Sequence, residues 1–259
     1  MQPLPPLYNS VQGQMRVVGL MSGSGSNLVK ILEFEKQLEQ ERGNSPYKIS
    51  VIFSDTYDSN AAKIGKDFDL PVVIRDLKGY YAKRGKPRTD MKVREEFDME
   101  TVKALEHYDI SVAAYTGYMS IATKPLIDAY LGINVHPADL SIFDKDGKRK
   151  YTGDHAVRDA ILSGEKTIAS TIHIIEEEVD YGKILMISKP IKVKLPRIFK
   201  PKKRLSKKLE KQNQGLLKKN GDWIIFPRTL LYLAEGRYTG DFLNIYFDGK
   251  PIPEGIKLK

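Results

Sequence analysis

The feature that most constrains this chain is the alternation of strand-like and helix-like segments over its first 135 residues. "RVVGLM" (16–21) is a β-rich run that breaks at "SGSGSNL", after which Leu28, Ile31, Leu32 and Leu38 recur at helical intervals. "YKISVIF" (47–53) predicts a second strand, 60–68 a helix, and "PVVI" (71–74) a short third strand. A polar, glycine-bearing loop over 78–88 then leads to a long helix striped by Val93, Phe97, Ala104, Leu105 and Tyr108. "ISVAAY" (110–115) and "GINV" (132–135) read as buried strands. Strands separated by helical crossovers must run parallel. The expected fold is therefore α/β, a doubly wound, mostly parallel, Rossmann-like sheet with its site at the carboxyl ends of the strands.

Beyond residue 160 the pattern changes. "TIASTIHII" (167–175) and "KILMISKPIKV" (183–193) flank a short acidic turn and predict an antiparallel pair that extends the sheet. C-terminal helices follow: a lysine-rich one over 201–219, and one over 222–236 that kinks or starts near Pro227. "FDGKP" marks a late turn. No internal repeat or linker divides the chain. The reading is one domain over 1–259, with a Pro-rich arm at 1–15 and a basic helical insertion at 195–219.

The charge is not uniform. Residues 183–219 carry fourteen Lys/Arg and one acid, Glu210, leaving the remainder at −4 within a total of +9. Basicity thus belongs to one segment, where aromatics are scarce, and nucleic acid is not the expected partner. Leu205, Leu209, Leu216 and Leu217 suggest that one face of this segment packs while its lysines stay in water. The alternative reading is that the segment attracts an anionic substrate tail. There is no cysteine, which excludes disulfides and thiol chemistry, and no apolar run long enough for a membrane span. Cytoplasmic location is the expectation, and the oligomeric state is not legible.

Two clusters carry chemistry. In "MSGSGSNL", Gly23 and Gly25 allow close backbone approach at a helix start, with Ser26 and Asn27 beside it. This is an anion cradle or a plain βα turn with a side-chain cap. It lacks both the third glycine of a dinucleotide fingerprint and the Gly-Lys-Ser/Thr of a P-loop. In "GINVHP", Asn134 and His136 leave a strand two residues apart, so their side chains share a face. The second cluster, "TIHIIEEEVDYGKIL", brings His173 and Asp180. A carboxylate beside an imidazole orients it and favours its protonated form, while an amide can hold an oxyanion. The set suits acyl or formyl transfer to an amine nucleophile. The histidine spacings match no zinc pattern, and no metal is expected.

These motifs resemble the glycinamide ribonucleotide formyltransferase family. "RVVGLMSGSGSNL", "GINVHP", "TIHIIEEEVDYGKIL" and "IIFPRTLLYLAEGR" stand in that family's order, and the resemblance covers about 16–193 and 222–255. It implies a formyltransferase fold and formyl transfer from 10-formyltetrahydrofolate to glycinamide ribonucleotide in purine biosynthesis. Asn134, His136 and Asp180 would be the catalytic trio, and Gly25, Ser26 and Asn27 would hold the substrate phosphate. Asp222 would meet the ribose, Met119, Ser120, Ile121 and Ala122 would border the folate, and His155 and His173 would line the cleft.

The sequence also departs from the family. "ADLSIFDKDGKRKYTGD" is longer and more charged than the family's loop, and Ser120 stands where arginine is common. Rival readings are a folate-dependent formyltransferase for another amine and a non-catalytic nucleotide-binding module using Gly23, Gly25 and Asp55. A methionyl-tRNA formyltransferase should add a C-terminal barrel, and a formyltetrahydrofolate hydrolase a domain before Arg16.

Overall fold

A computed structural model describes residues 4–9, 13–196, 205–240 and 243–258. The parallel half contains β1 (Met15–Met21), α1 (Ser26–Arg42), β2 (Tyr47–Ser54), α2 (Ala61–Phe68), β3 (Val72–Ile74), α3 (Leu77–Lys83), α4 (Met91–Leu105), β4 (Val112–Tyr115), α5 (Lys124–Ala129) and β5 (Leu131–His136). The second half continues with α6 (Ala156–Leu162), β6 (Thr167–Ile168), β7 (Thr171–Ile174), β8 (Ile184–Ile187), β9 (Ile191–Lys192), α7 (Lys207–Leu217), α8 (Trp223–Ala234), β10 (Tyr238–Gly240), β11 (Ile245–Phe247), β12 (Lys250–Pro251) and β13 (Ile256–Lys257). Part of the N-terminal arm (1–3, 10–12) and part of the basic segment (197–204) lie outside the described residues.

Eight strands form the main sheet in the order β13-β8-β7-β5-β4-β1-β2-β3. β1 pairs in parallel with both β2 and β4, so the connections wind outward in opposite directions from the β1/β4 boundary. In a doubly wound sheet that boundary opens a crevice at the carboxyl ends of the strands. β7 then pairs antiparallel with both β5 and β8, as the later hydrophobic runs predict.

The strands are apolar on both faces because both are covered. Val17 and Met21 face one core with Val112, Ala114 and the helix residues Leu28 and Leu230, while Val18, Leu20, Ala113 and Phe97 form the other. Each of the larger of these side chains stabilises the fold by about 1.5–3 kcal/mol on burial. Gly19 lies under α1, and a Cβ there would stand 2.5 Å from a Leu28 methyl. In β2 the register slips so that Val17 pairs with Ile49 but Val18 with Val51, leaving Ser50 as a bulge. Beside it, Glu35 of α1 is buried and accepts the Ile49 N–H at 2.9 Å.

Two expectations need correction and a third is narrowed. The loop expected over 78–88 begins with α3, capped by Asp76, whose carboxylate accepts the Lys78 N–H, and anchored by buried Leu77 and Tyr81. The run 167–175 breaks at Ala169–Ser170, so that β6 leaves the main sheet and pairs with β9. α8 starts at Trp223 and carries Pro227 within it, following a π turn over Lys218–Asp222 that joins it to α7.

The described part of the basic segment packs on the body. Leu205, Leu209 and Leu217 pack with Ala138, Tyr151 and Val157, and buried Asn213 exchanges hydrogen bonds with both backbone groups of Lys194. Leu216 is not part of that contact. Residues of the N-terminal arm pair with β10: Leu7 N–H donates to Tyr238 O and Gly240 N–H to Pro5 O. Among the described residues no helix is long and apolar enough to cross a membrane.

Candidate functional site

A cavity of about 570 Å³ opens at the crevice, bordered by the ends of β4 and β5, the start of α1, the turn before β8 and the face of α7. β5 delivers two of its side chains by ladder geometry alone. Asn134 and His136 point the same way, and across the strand pair Asn134 lies directly opposite His173. The Asn134 Nδ2 to His173 Nε2 distance is 3.2 Å. The other nitrogen of that ring, Nδ1, donates to the Ile174 carbonyl at 2.8 Å.

Asp180 arrives differently. It sits in a turn with φ 62°, a left-handed conformation uncommon for a residue with a side chain. Two residues later, Gly182 passes so close to Ile174 that a Cβ would lie 1.8 Å from the Ile174 carbonyl oxygen. The turn thus folds onto the end of β7 and places Asp180 Oδ1 3.3 Å from His136 Nδ1 and 3.5 Å from His173 Nε2. Oδ2 accepts the Gly153 N–H at 2.7 Å. Burial works against the charged carboxylate, but hydrogen bonds from His136, His173 and Gly153 outweigh it and hold Asp180 well below the usual carboxylate range.

His136 is buried between two acceptors. Its Nε2 donates to the Tyr151 carbonyl at 2.7 Å, and its Nδ1 faces Asp180. The ring thus has an acceptor at each nitrogen.

At the opposite end lies the start of α1. Gly25, with φ 66°, is the N-cap, and no side chain caps the helix, so the Ser26/Asn27 cap reading does not hold. The N–H groups of the first turn have no partner within the helix. Asn27 borders the cavity, whereas Gly25 and Ser26 are not among its lining residues. Asn27 is buried, with Oδ1 unpartnered and Nδ2 3.5 Å from Asp222 Oδ2. Burial pushes the Asp222 carboxyl up, while a hydrogen bond from Ser170 and the charge of Lys218 pull it down.

The segment 118–123 forms the apolar wall, and Met119, Ser120, Ile121 and Ala122 all border the cavity. α4 pins this segment from below. Arg94 Nε donates to the Ile121 carbonyl at 2.6 Å and Nη2 to Tyr118 at 2.8 Å, while Asp98 accepts the Thr123 N–H at 2.8 Å. Arg94 and Asp98 are themselves a buried pair at 2.8 Å.

His155 is not a cleft residue. It precedes α6, is more than half exposed, and faces Glu210 at 3.8 Å. Asp55 does not suit a ribose either, since it is buried and accepts a hydrogen bond from Ser120. Two residues of the basic segment do reach the cavity, Gln214 and Lys218. With Asp222 they form an i, i+4, i+8 series on one face, a spacing present in the sequence but hidden among many lysines.

Comparison with known proteins agrees with this architecture. Residues 15–218 match the formyl transferase family. The chain is 24% identical over 241 residues to the phosphoribosylglycinamide formyltransferase of Haemophilus influenzae, covering 92% of this chain and 96% of that one. It is 28% identical over 177 residues to the human trifunctional purine biosynthetic protein adenosine-3, covering 66% of this chain but only 15% of that protein's length. The structure of the phosphoribosylglycinamide formyltransferase of Coxiella burnetii superposes with a TM-score of 0.68 at 22% identity, covering 95% of this chain and 100% of that one.

Proposed function

This chain belongs to the formyl transferase family, and on that premise we propose that it transfers the formyl group of 10-formyltetrahydrofolate to the amine of glycinamide ribonucleotide. The observation that carries the reading is the convergence of Asn134, His136 and Asp180 at one end of a cavity whose other end is a helix N-terminus. An anion suits the first-turn N–H groups of α1, and Lys218 adds a positive charge there. Asp222, at the same end, suits a ribose hydroxyl. The folate is assigned to the wall of Met119, Ser120, Ile121 and Ala122, whose exposed Met119 and Ile121 offer apolar contact.

In the reaction the substrate amine attacks the formyl carbon, giving a tetrahedral intermediate with a negative oxygen. Asn134 and His136 are assigned to stabilise that oxygen, Asn134 as a neutral donor. The amine then loses its proton, the carbon–N10 bond breaks, and N10 is protonated. Asp180 is assigned to carry that proton through His136 or a water molecule. Holding both substrates in one cavity supplies much of the rate by orientation alone.

The test follows consumption of 10-formyltetrahydrofolate with and without glycinamide ribonucleotide. Saturable transfer that requires the ribonucleotide is expected. Transfer to another amine only would reassign the acceptor, and absence of folate binding would overturn the reading.

A further inference from the structure

The loop that departs most from the family supplies contacts to the reacting groups, and one side chain organises them. Residues 142–150 form a small hairpin: Lys150 N–H donates to Ile142 O at 2.9 Å, and Asp144 N–H to Lys148 O at 2.8 Å. Arg149 leaves this hairpin half-buried. Its Nη1 donates to the Asp180 carbonyl and its Nη2 to the Gly182 carbonyl at 2.9 Å, while the guanidinium lies 5.6 Å from the centre of the Tyr181 ring.

This choice of partners is informative. The Asp180 carboxylate acts on Arg149 electrostatically, as do Glu176 and Glu178, yet among the described ion pairs Arg149 has no carboxylate partner. Its planar fork is instead spent on two neutral carbonyls that bracket one turn, a geometry a lysine cannot reproduce. The same loop supplies the Tyr151 carbonyl to His136 and the Gly153 N–H to Asp180. The Asp180 backbone has a left-handed φ, and on its other side Gly182 rests against Ile174. A turn held in an unfavourable conformation persists only where its surroundings over-determine it.

We propose that Arg149 is a positioning residue for the formyl-transfer site: by gripping the carbonyls on either side of Tyr181 it fixes the Asp180 carboxylate between His136 and His173. It touches no substrate and acts through the turn. The proposal rests on the formyltransferase reading for its kinetic consequence, but its structural content is independent of the acceptor.

The experiment compares wild type with Arg149→Ala, Arg149→Lys and, as a control on the exposed hairpin tip, Lys145→Ala. In Arg149→Ala, kcat should fall roughly 10- to 100-fold, the cost of a carboxylate misplaced by about 1 Å. KM for glycinamide ribonucleotide should stay within twofold, since the α1 end is untouched. Added guanidinium ion should recover part of the lost rate in Arg149→Ala, and Arg149→Lys should remain impaired. Lys145→Ala should match wild type. The readout free of activity is a ¹³C titration of the Asp180 carboxyl, which faces His136, His173, Arg149 and the Gly153 N–H: its midpoint should move to higher pH in Arg149→Ala. A kcat within twofold of wild type in Arg149→Ala, or an unmoved Asp180 titration in that variant, overturns the proposal. If wild type itself transfers no formyl group, the functional reading fails while the Asp180 titration still decides the role of Arg149.

Discussion

The two walls that meet at the proposed catalytic cluster are built on different principles. On one, Asn134, His136 and His173 come from adjacent strands and take their places from ladder register. On the other, Asp180 comes from an irregular turn and is placed by hydrogen bonds to side chains and backbone of distant segments. A ladder positions side chains cheaply because each backbone bond is part of the fold's own stability. A turn with a left-handed residue has no such support, and precision there must be imposed from outside. The lesson is that the strand-borne groups should tolerate local change, while the carboxylate should be fragile to substitutions that never touch it.

That contrast can be broken or sharpened experimentally. The largest effect is expected for Asp180→Asn, which keeps shape but removes charge: kcat should drop roughly 10³-fold in a formyl-transfer assay. A comparable rate would show that the turn-built wall carries no chemistry. Gly182→Ala comes next, since the new methyl meets the Ile174 carbonyl. It should lose about 2–3 kcal/mol in urea unfolding together with activity.

A third prediction concerns the strand scaffold. Burial, opposed by the Ile49 N–H bond, raises Glu35 from 4.5 to about 7. The unfolded chain ionises this group near 4.5 and the folded chain near 7. Its contribution to stability is therefore complete below pH 4.5 and is lost as pH rises to 7. Glu35→Gln should remove that slope, gaining on the order of 2 kcal/mol relative to wild type at pH 8, measured by denaturant titration at several pH values. Parallel pH profiles for the two proteins would contradict it. The smallest effect is assigned to Lys218→Ala: KM for the ribonucleotide should rise about tenfold with kcat nearly unchanged. A fall in kcat instead would place Lys218 with the reacting groups.

What the sequence revealed follows the same division. Asn134 and His136 were legible because a strand has period two, so residues two apart share a face without further knowledge. The parallel half was legible for the same reason, as each strand is an apolar run closed by polar or turn residues. Asp180 was visible only as a candidate within an acidic run, because its meeting with His136 depends on how a turn folds. Arg149 left no local signal, since its partners lie 31 and 33 positions away and are backbone carbonyls that any residue provides. Lys218 was masked by its neighbours' identical charge. His155 was placed in the cleft by motif similarity, whereas the chain turns it outward toward Glu210. α3 escaped notice because seven residues with two buried positions carry too little periodicity to stand out from a polar loop.

The π turn between α7 and α8 has a consequence for how this chain tolerates length changes. Five residues, Lys218–Asp222, close a wider ring than a regular helix uses. Removing a single residue there would leave two continuous helices, but each position upstream would be rotated by about 100° against the body. Gln214 and Lys218 would swing off the cavity wall as Leu205, Leu209 and Leu217 lost their seats. This short stretch therefore behaves as a phase-setting washer: exposed Asn220 should accept substitution, whereas a one-residue deletion would uncouple the lysine-rich helix from the cavity it borders.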